Sequence, residues 1–291
     1  MVQFGQDVIG GLGFGAIYAL AALGLVIIFK TSRLVNFAFG SMGTAVAMIL
    51  WTLLSAVRLP LVAAWLLALV GAAVVGALTD EALLRRIEQA PSLIQITITL
   101  GLFIGIEGLV GVLWGYTPKP LPELTSGGSL RVGPYFLTPD QLLIVALTLV
   151  LAAALHFVLE RTRLGLAMRA IAQDRDTAML MGVPTRRTVA LSWAWGVLLS
   201  GLAAILVAPA VSLSPTMMDQ IAVFAFAAAV LGGFGSLAGA IVGGFIVGIV
   251  GNLISAYLST NFQLTFIFLL IVAVLYVRPH GIFGSAAQSR Q

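Results

Sequence analysis

Few side chains in this 291-residue chain are equipped for chemistry, and their spacing narrows what they can do. There is no cysteine, which excludes a thiolate nucleophile and a Cys-based metal site. His156 closes an apolar run and His280 sits in a polar tail. No HExxH pattern occurs, and no acid cluster has metal-ligand spacing. Ser236, in GFGSLAG, lacks the glycine two residues earlier that a nucleophile elbow needs. No GxxxxGK[ST] loop exists, and no Gly-Lys pair, so the chain cannot by itself cradle ATP. What remains is polar residues set in apolar stretches. Glu107 is the acid well inside one, and an intramembrane acid is a functional candidate by default. It can instead bond a neighbouring helix or lie near an interface. Asn36, in VNFAFG, suits a helix cap or a substrate contact, and capping is the preferred reading. Asn252 and Asp219 are lesser candidates of the same kind.

Glycines form a second pattern. Gly235, Gly239 and Gly243 are spaced by four, as are Gly244 and Gly248, Gly101 and Gly105, and Gly111 and Gly115. Small residues at this interval let helix backbones approach closely in lipid. A sharper reading breaks a helix at Gly232-Gly233-Phe234-Gly235-Ser236 and lines a translocation path with the freed backbone. On that reading Gly233, Gly235 and Ser236 join Asn36 and Glu107 as path residues.

The elements that must hold these residues follow from composition. The chain is 60% hydrophobic and 9% charged, with mean hydropathy +1.10. Soluble domains are about 45–50% apolar and about 25% charged. This pattern defines an all-α polytopic membrane protein. Apolar runs fall at about 8–29, 37–57, 61–79, 92–114, 139–159, 188–211, 219–231, 236–258 and 262–277, and eight to ten spans are expected. The run at 219–231, that at 236–258 or the start of that at 37–57 can be a broken or re-entrant piece. The N-terminus, MVQFGQD, lacks a basic signal-peptide region, so the first run is read as a retained span. The loop at 115–138, with prolines at 118, 120, 122 and 134, is too short for a domain and reads as a structured external lid or docking loop. The whole chain, 1–291, is one membrane domain.

The basic residues are the strongest organising signal. Six arginines crowd the segment 160–187, ERTRLGLAMRAIAQDRDTAMLMGVPTRR. Each would cost about 2.5–3.5 kcal/mol at a bilayer centre, so the segment lies in water. Placing it in the cytoplasm puts 12 of the 15 Lys and Arg residues on one side, leaving Arg58, Lys119 and Arg131 outside. The N-terminus is then external and the C-terminus internal. Insertion topology accounts for the pI near 9.9, so nucleic acid is not implied. From Leu164 to Met181 the segment is predicted to be helical, with Leu164, Met168 and Ile171 on one face. Gly182-Val183-Pro184 should end it. A short helix held at a cytoplasmic surface offers a soluble partner something to push on.

With those stretches in view, the chain resembles the permease subunits of the branched-chain amino acid family of ABC importers, of the type with a short N-terminus. The resemblance covers nearly the whole length. It rests on GLGFGAIYALAALGLVIIFKTSRLVNFAFG, TRLGLAMRAIAQDRDTAMLMGV, FAFAAAVLGGFGSLAGAIVGGFIVG and RPHGIFG. It implies that the segment around Arg169 to Gly182 is a coupling helix docking on an ATPase, with Arg169, Asp174, Asp176, Ala178 and Gly182 in that contact. Ala178 and Gly182 match the family's Ala and Gly. The implied partners are a second, related permease, two ATPase subunits carrying ATP and Mg, and a periplasmic binding protein. No cofactor is expected on this chain, and the implied location is the bacterial inner membrane. Two features depart from the pattern. Relatives often carry an acid where this chain reads GIVGNL, and Glu107 stands where an uncharged polar residue is as common. Relatives also carry urea or short amides, so these remain alternative substrates. The rivals from other classes are an ATP-independent channel or secondary transporter, and an intramembrane enzyme.

Overall fold

A bilayer leaves no water for backbone groups, so an oily chain must satisfy its amides within helices. The computed structural model, which describes residues 2–87, 90–122 and 128–284, is built accordingly. Its long helices are α1 (Val2–Ser32), α2 (Phe39–Ser55), α3 (Leu61–Ala82), α4 (Ser92–Trp114) and α5 (Pro139–Arg161). Two short helices follow, α6 (Arg163–Gln173) and α7 (Arg175–Leu180). Then come α8 (Thr185–Val211), α9 (Asp219–Gly232), α10 (Leu237–Tyr257) and α11 (Gln263–Val277). Among the described residues, seven helical segments are long and apolar enough to cross a membrane, and α2 and α9 are shorter apolar helices. All nine apolar runs of the sequence are therefore helical. At about 1.5 Å per residue, α9 is about 21 Å long, less than a hydrocarbon core of about 30 Å.

Three boundaries differ from the sequence reading. α1 begins at Val2, because the polar stretch from Val2 to Asp7 continues the helix and is held there by tertiary bonds at Gln6 and Asp7. α3 runs past position 79 to Ala82, so Asp80 is helical and buried. The loop at 115–138 contains a hairpin, β1 (Leu130–Val132) against β2 (Tyr135–Leu137), turning at Gly133. Gln6 of α1 accepts from the Phe136 amide at 2.9 Å and donates to its carbonyl at 2.8 Å. Residues 123–127 of that loop, and Arg290, one of the twelve basic residues counted on the inner side, lie outside the described residues.

The chain divides into two compact units, Met1–Val26 with Glu123–Ala153 and Val223–Gln291, and Ile27–Pro122 with Ala154–Ala222. In the first, α10 lies against two neighbours on two glycine faces. A Cβ at Gly239 or Gly243 would collide with the α9 backbone at Gly232 or Ala228. One at Gly244 or Gly248 would collide with α1 at Ala19 or Gly15. The rings of Tyr18 and Phe224 meet at a tilt of 58°, with 5.1 Å between centroids.

In the second unit, α8 packs on α2 and α3. Gly76 of α3 lies against the Trp193 carbonyl, and Gly43 of α2 against Ser200. The Ser200 hydroxyl donates to the Phe39 carbonyl at 2.6 Å. Lys119 and Leu213 pair through both backbone amides at 2.9 Å, and Trp114 Nε1 donates to Thr52 at 2.7 Å. By contrast α4 exposes Leu93, Ile104 and Val112, a surface suited to lipid or another membrane protein.

Candidate functional site

The arginine-rich segment folds as two helices. The expected single helix from 164 to 181 is interrupted at Asp174, whose backbone is extended (φ −154°, ψ 113°). Asp has low helix propensity because its side chain competes for backbone donors. Here its carboxylate caps α7, accepting from the Thr177 amide at 2.9 Å. That bond, with help from the Asp176 amide, holds the Asp174 carboxyl below its ordinary range. Asp176 follows in the first turn of α7, where negative charge is favoured. Thr162 caps α6 in the same manner, accepting from the Gly165 amide at 3.2 Å.

The predicted faces are present. Met168 and Ile171 are buried, with Leu164 half-buried beside them. α6 packs on α8 and is tied at both ends. Arg169 pairs with Glu160 at the end of α5, and the Arg33 guanidinium donates to the Ala172 carbonyl near the α6 C-terminus. Gly165 allows α6 to turn back against the Leu159 backbone. Ala178 is buried. Gly182 has φ +80°, its amide donates to Met179 O at 3.0 Å, and Val183 N–H donates to Ala178 O at 3.0 Å. These are the two bonds of a Schellman end, as the Gly-Val-Pro sequence predicts.

The result is an anchored base with an apolar tip. Met179, Leu180 and Met181 are 57%, 86% and 80% exposed, in a segment too charged to lie in lipid. Of the five residues expected there, Arg169 and Ala178 belong to the base. Asp174, Asp176 and Gly182 shape the tip.

The expected path residues are not gathered into one place within either unit. In the second unit Asn36 is 2% exposed, and its Oδ1 accepts from the Ala38 amide at 3.0 Å, so it turns the chain into α2. Glu107 is half-buried on α4 and interacts electrostatically with Asp219 at the start of α9.

In the first unit, the Gly232–Ser236 break separates α9 from α10. Gly233 has φ +98°, and Ser236 caps α10 by accepting from the Gly239 amide at 3.0 Å. The exposed α9 carbonyls are already used. Ile282 N–H donates to Leu231 O at 2.9 Å and Phe283 N–H to Gly232 O at 3.1 Å. Gly281 and Gly284 let this C-terminal strap lie against Gly233. Gly235 has open space around it.

Sequence reasoning missed Asp80, 5% exposed within α3, and Trp193, fully buried in α8. The signal for Asp80 was slight: Leu83 and Leu84 follow it inside what reads as a charged loop.

Apolar helices together with an anchored, arginine-rich two-helix segment fit a membrane permease. The chain belongs to the family described as "Branched-chain amino acid transport system / permease component", whose model matches residues 8–275. It is 31% identical to the high-affinity branched-chain amino acid transport system permease protein LivH of Escherichia coli K12, over 97% of this chain and 96% of that one. It is 29% identical to BraD, the corresponding permease protein of Pseudomonas aeruginosa, over 96% and 95% of the two chains. It is 30% identical to a probable LivH permease of Methanocaldococcus jannaschii, over 94% and 91%. No solved structure matches the chain.

Proposed function

We propose that this chain is the membrane permease of an ATP-driven importer, carrying branched-chain or related small hydrophobic amino acids inward by alternating access. Its partners are a second permease, two ATPase subunits that hold ATP and Mg, and a periplasmic binding protein. It lies in the bacterial inner membrane with the N-terminus outside and the C-terminus in the cytoplasm. The observation that carries the reading is the apolar tip Met179-Leu180-Met181 on a segment the bilayer excludes. Exposed apolar side chains in water favour burial in a partner. The anchored base supplies the other requirement, a stiff connection from that partner to the spans. Force on α7 passes to α6, then to α8, which packs on α2 and α3. Buried glycines bring α2 and α3 close to α8, so the group moves together.

The test is reconstitution in proteoliposomes with the co-purified ATPases, second permease and binding protein. Leucine uptake should require internal ATP and be absent with this chain alone. Competition by urea or acetamide in place of isoleucine and valine would reassign the substrate. Full-rate uptake by the lone chain would overturn the importer reading and favour a channel or secondary transporter.

A further inference from the structure

Two helices begin deep inside the second unit, which holds α2 and the first turn of α9. α8 is long and apolar enough to cross a membrane, with 27 residues and a length of about 40 Å. Ser200 stands near its middle, between ends at Thr185 and Val211. The Ser200 hydroxyl donates to the carbonyl of Phe39, the first residue of α2, and Gly43 packs on the same serine. α2 therefore starts at the depth of the α8 midpoint. α9 starts there too. A Cβ on Gly40 would lie 3.1 Å from the Ala222 Cβ and 3.2 Å from the Met218 carbonyl oxygen, and Met218 directly precedes α9.

The chain reaches this depth from both ends of α8 without a helix. Arg33 donates to the Ala172 carbonyl of α6, in the segment the bilayer excludes. Residues 33–38 then run non-helically to Phe39. Six extended residues reach about 20 Å, more than half of a hydrocarbon core of about 30 Å. Beyond the other end of α8, Leu213 pairs with Lys119, whose ammonium lies 4.8 Å from the Trp51 ring in the C-terminal half of α2. From there residues 213–218 return, again non-helical, to Gly40. Both stretches begin at a non-glycine residue with positive φ, Arg33 at +56° and Ser212 at +63°. Such torsions are uncommon, and they concentrate at clamps and switch regions. Non-helical backbone at membrane depth is tolerated where protein buries it or where it borders a water-filled cavity. Here protein buries it, at Leu34, Asn36, Ala38, Leu213 and Met218.

Thr44 gives the direction of change. It lies one turn beyond Gly40 on the same face of α2. It is 1% exposed, and its hydroxyl has no hydrogen-bond partner. A buried hydroxyl without a partner weighs against the closed arrangement, and the cost is relieved when water reaches it.

We infer that the meeting of α2 with the start of α9 is the gate of the translocation path, closed in this structure and opened by separating Gly40 from Met218 and Ala222. The inference deepens the transport reading and rests on it. α2 packs on α8, and α6 packs on α8 as well, so displacement of the arginine-rich segment reaches the gate through one helix.

The test uses the reconstituted complex and the absence of native cysteine. Gly40→Cys with Met218→Cys places two Cβ atoms 3.4 Å apart, beside the range of about 3.5–4.5 Å that a disulfide spans. Oxidation should join the pair, read as loss of maleimide labelling in the denatured chain. Leucine uptake should then fall to background and return on reduction. Thr44→Val removes the unpartnered hydroxyl at nearly constant shape. It should favour the closed gate and slow uptake about fivefold or more, whereas Thr44→Ser should stay near the parent rate. Uptake that survives the cross-link, or an assembled complex in which no disulfide forms, overturns the gate and leaves the importer reading standing. Should Gly40→Cys fail to fold, unchanged uptake in Thr44→Val overturns it. Inactivity of the parent chain and the reduced pair alike, with all partners and ATP present, would overturn the importer reading and the gate with it.

Discussion

Gly182 shows how much one backbone torsion can carry. At φ +80° a side chain is strained by about 1–2 kcal/mol. The Schellman bonds that shape the α7 tip depend on that torsion. Gly182→Val should therefore disorder the tip while leaving the spans inserted. In the reconstituted complex, leucine uptake should fall at least about tenfold and the stimulation of hydrolysis by substrate should be lost while basal ATPase activity persists, the ratio expected for a distortion of about 1.4 kcal/mol. Arg169→Glu should act in the same direction, because it sets two carboxylates against each other at the α5–α6 junction. Normal substrate-stimulated hydrolysis in either variant would refute the coupling role. Asp174 makes a pH prediction. Its carboxyl is lowered in the folded chain, so the cap's contribution is complete above the unfolded value of about 3.9 and disappears as pH falls below it. Exchange protection at Thr177, corrected for intrinsic rate, should be flat from pH 5 to 8, and Asp174→Ala should abolish it.

Among the elements, the glycine spacings separate into two kinds that the sequence cannot distinguish. Gly244 and Gly248 press on α1, whereas Gly101 and Gly105 of α4 have nothing within 4 Å. Gly248→Leu should prevent stable folding, since backbone lies where its Cβ would go. Gly101→Leu should leave the thermal midpoint of the purified chain within about 2 °C, as for a surface substitution. Local hydropathy made the helices themselves legible: the run predicted at 92–114 is α4 to the residue. The segment's cap at Gly182 and its buried face were legible too, because both are written in neighbouring positions. The break at Asp174 was not, because its capping bond competes with a helical pattern that continues through it. Nor was the partner of each glycine, since Gly15 and Gly248 lie at opposite ends of the chain. Asn36 was read as a cap or a substrate contact, and the structure shows it satisfied by its own turn. Asp80 was hidden because a charged stretch looks like a loop until its helix is seen to continue.

For the molecule as a whole, orientation is the property to test first, and the composition makes it easy. With no native cysteine, single cysteines can be introduced one at a time. A cysteine at Gln173, exposed in the arginine-rich segment, should react with an impermeant maleimide only after the inner face is opened. One at Ser129, before the hairpin, should react in intact cells. The reverse pattern would invert the topology. The two units also interleave along the sequence, so neither is a contiguous piece that a truncation could isolate.

The glycine face between α1 and α10 has a consequence for how the protein is made. Synthesis at about 5–20 residues per second delivers Gly248 roughly 10–50 s after Gly15. During that interval the first span, already inserted, has no α10 to cover it. Something else, lipid or an insertion factor, must shield it until the later helix arrives, and the strap at Ile282 and Phe283 is made later still.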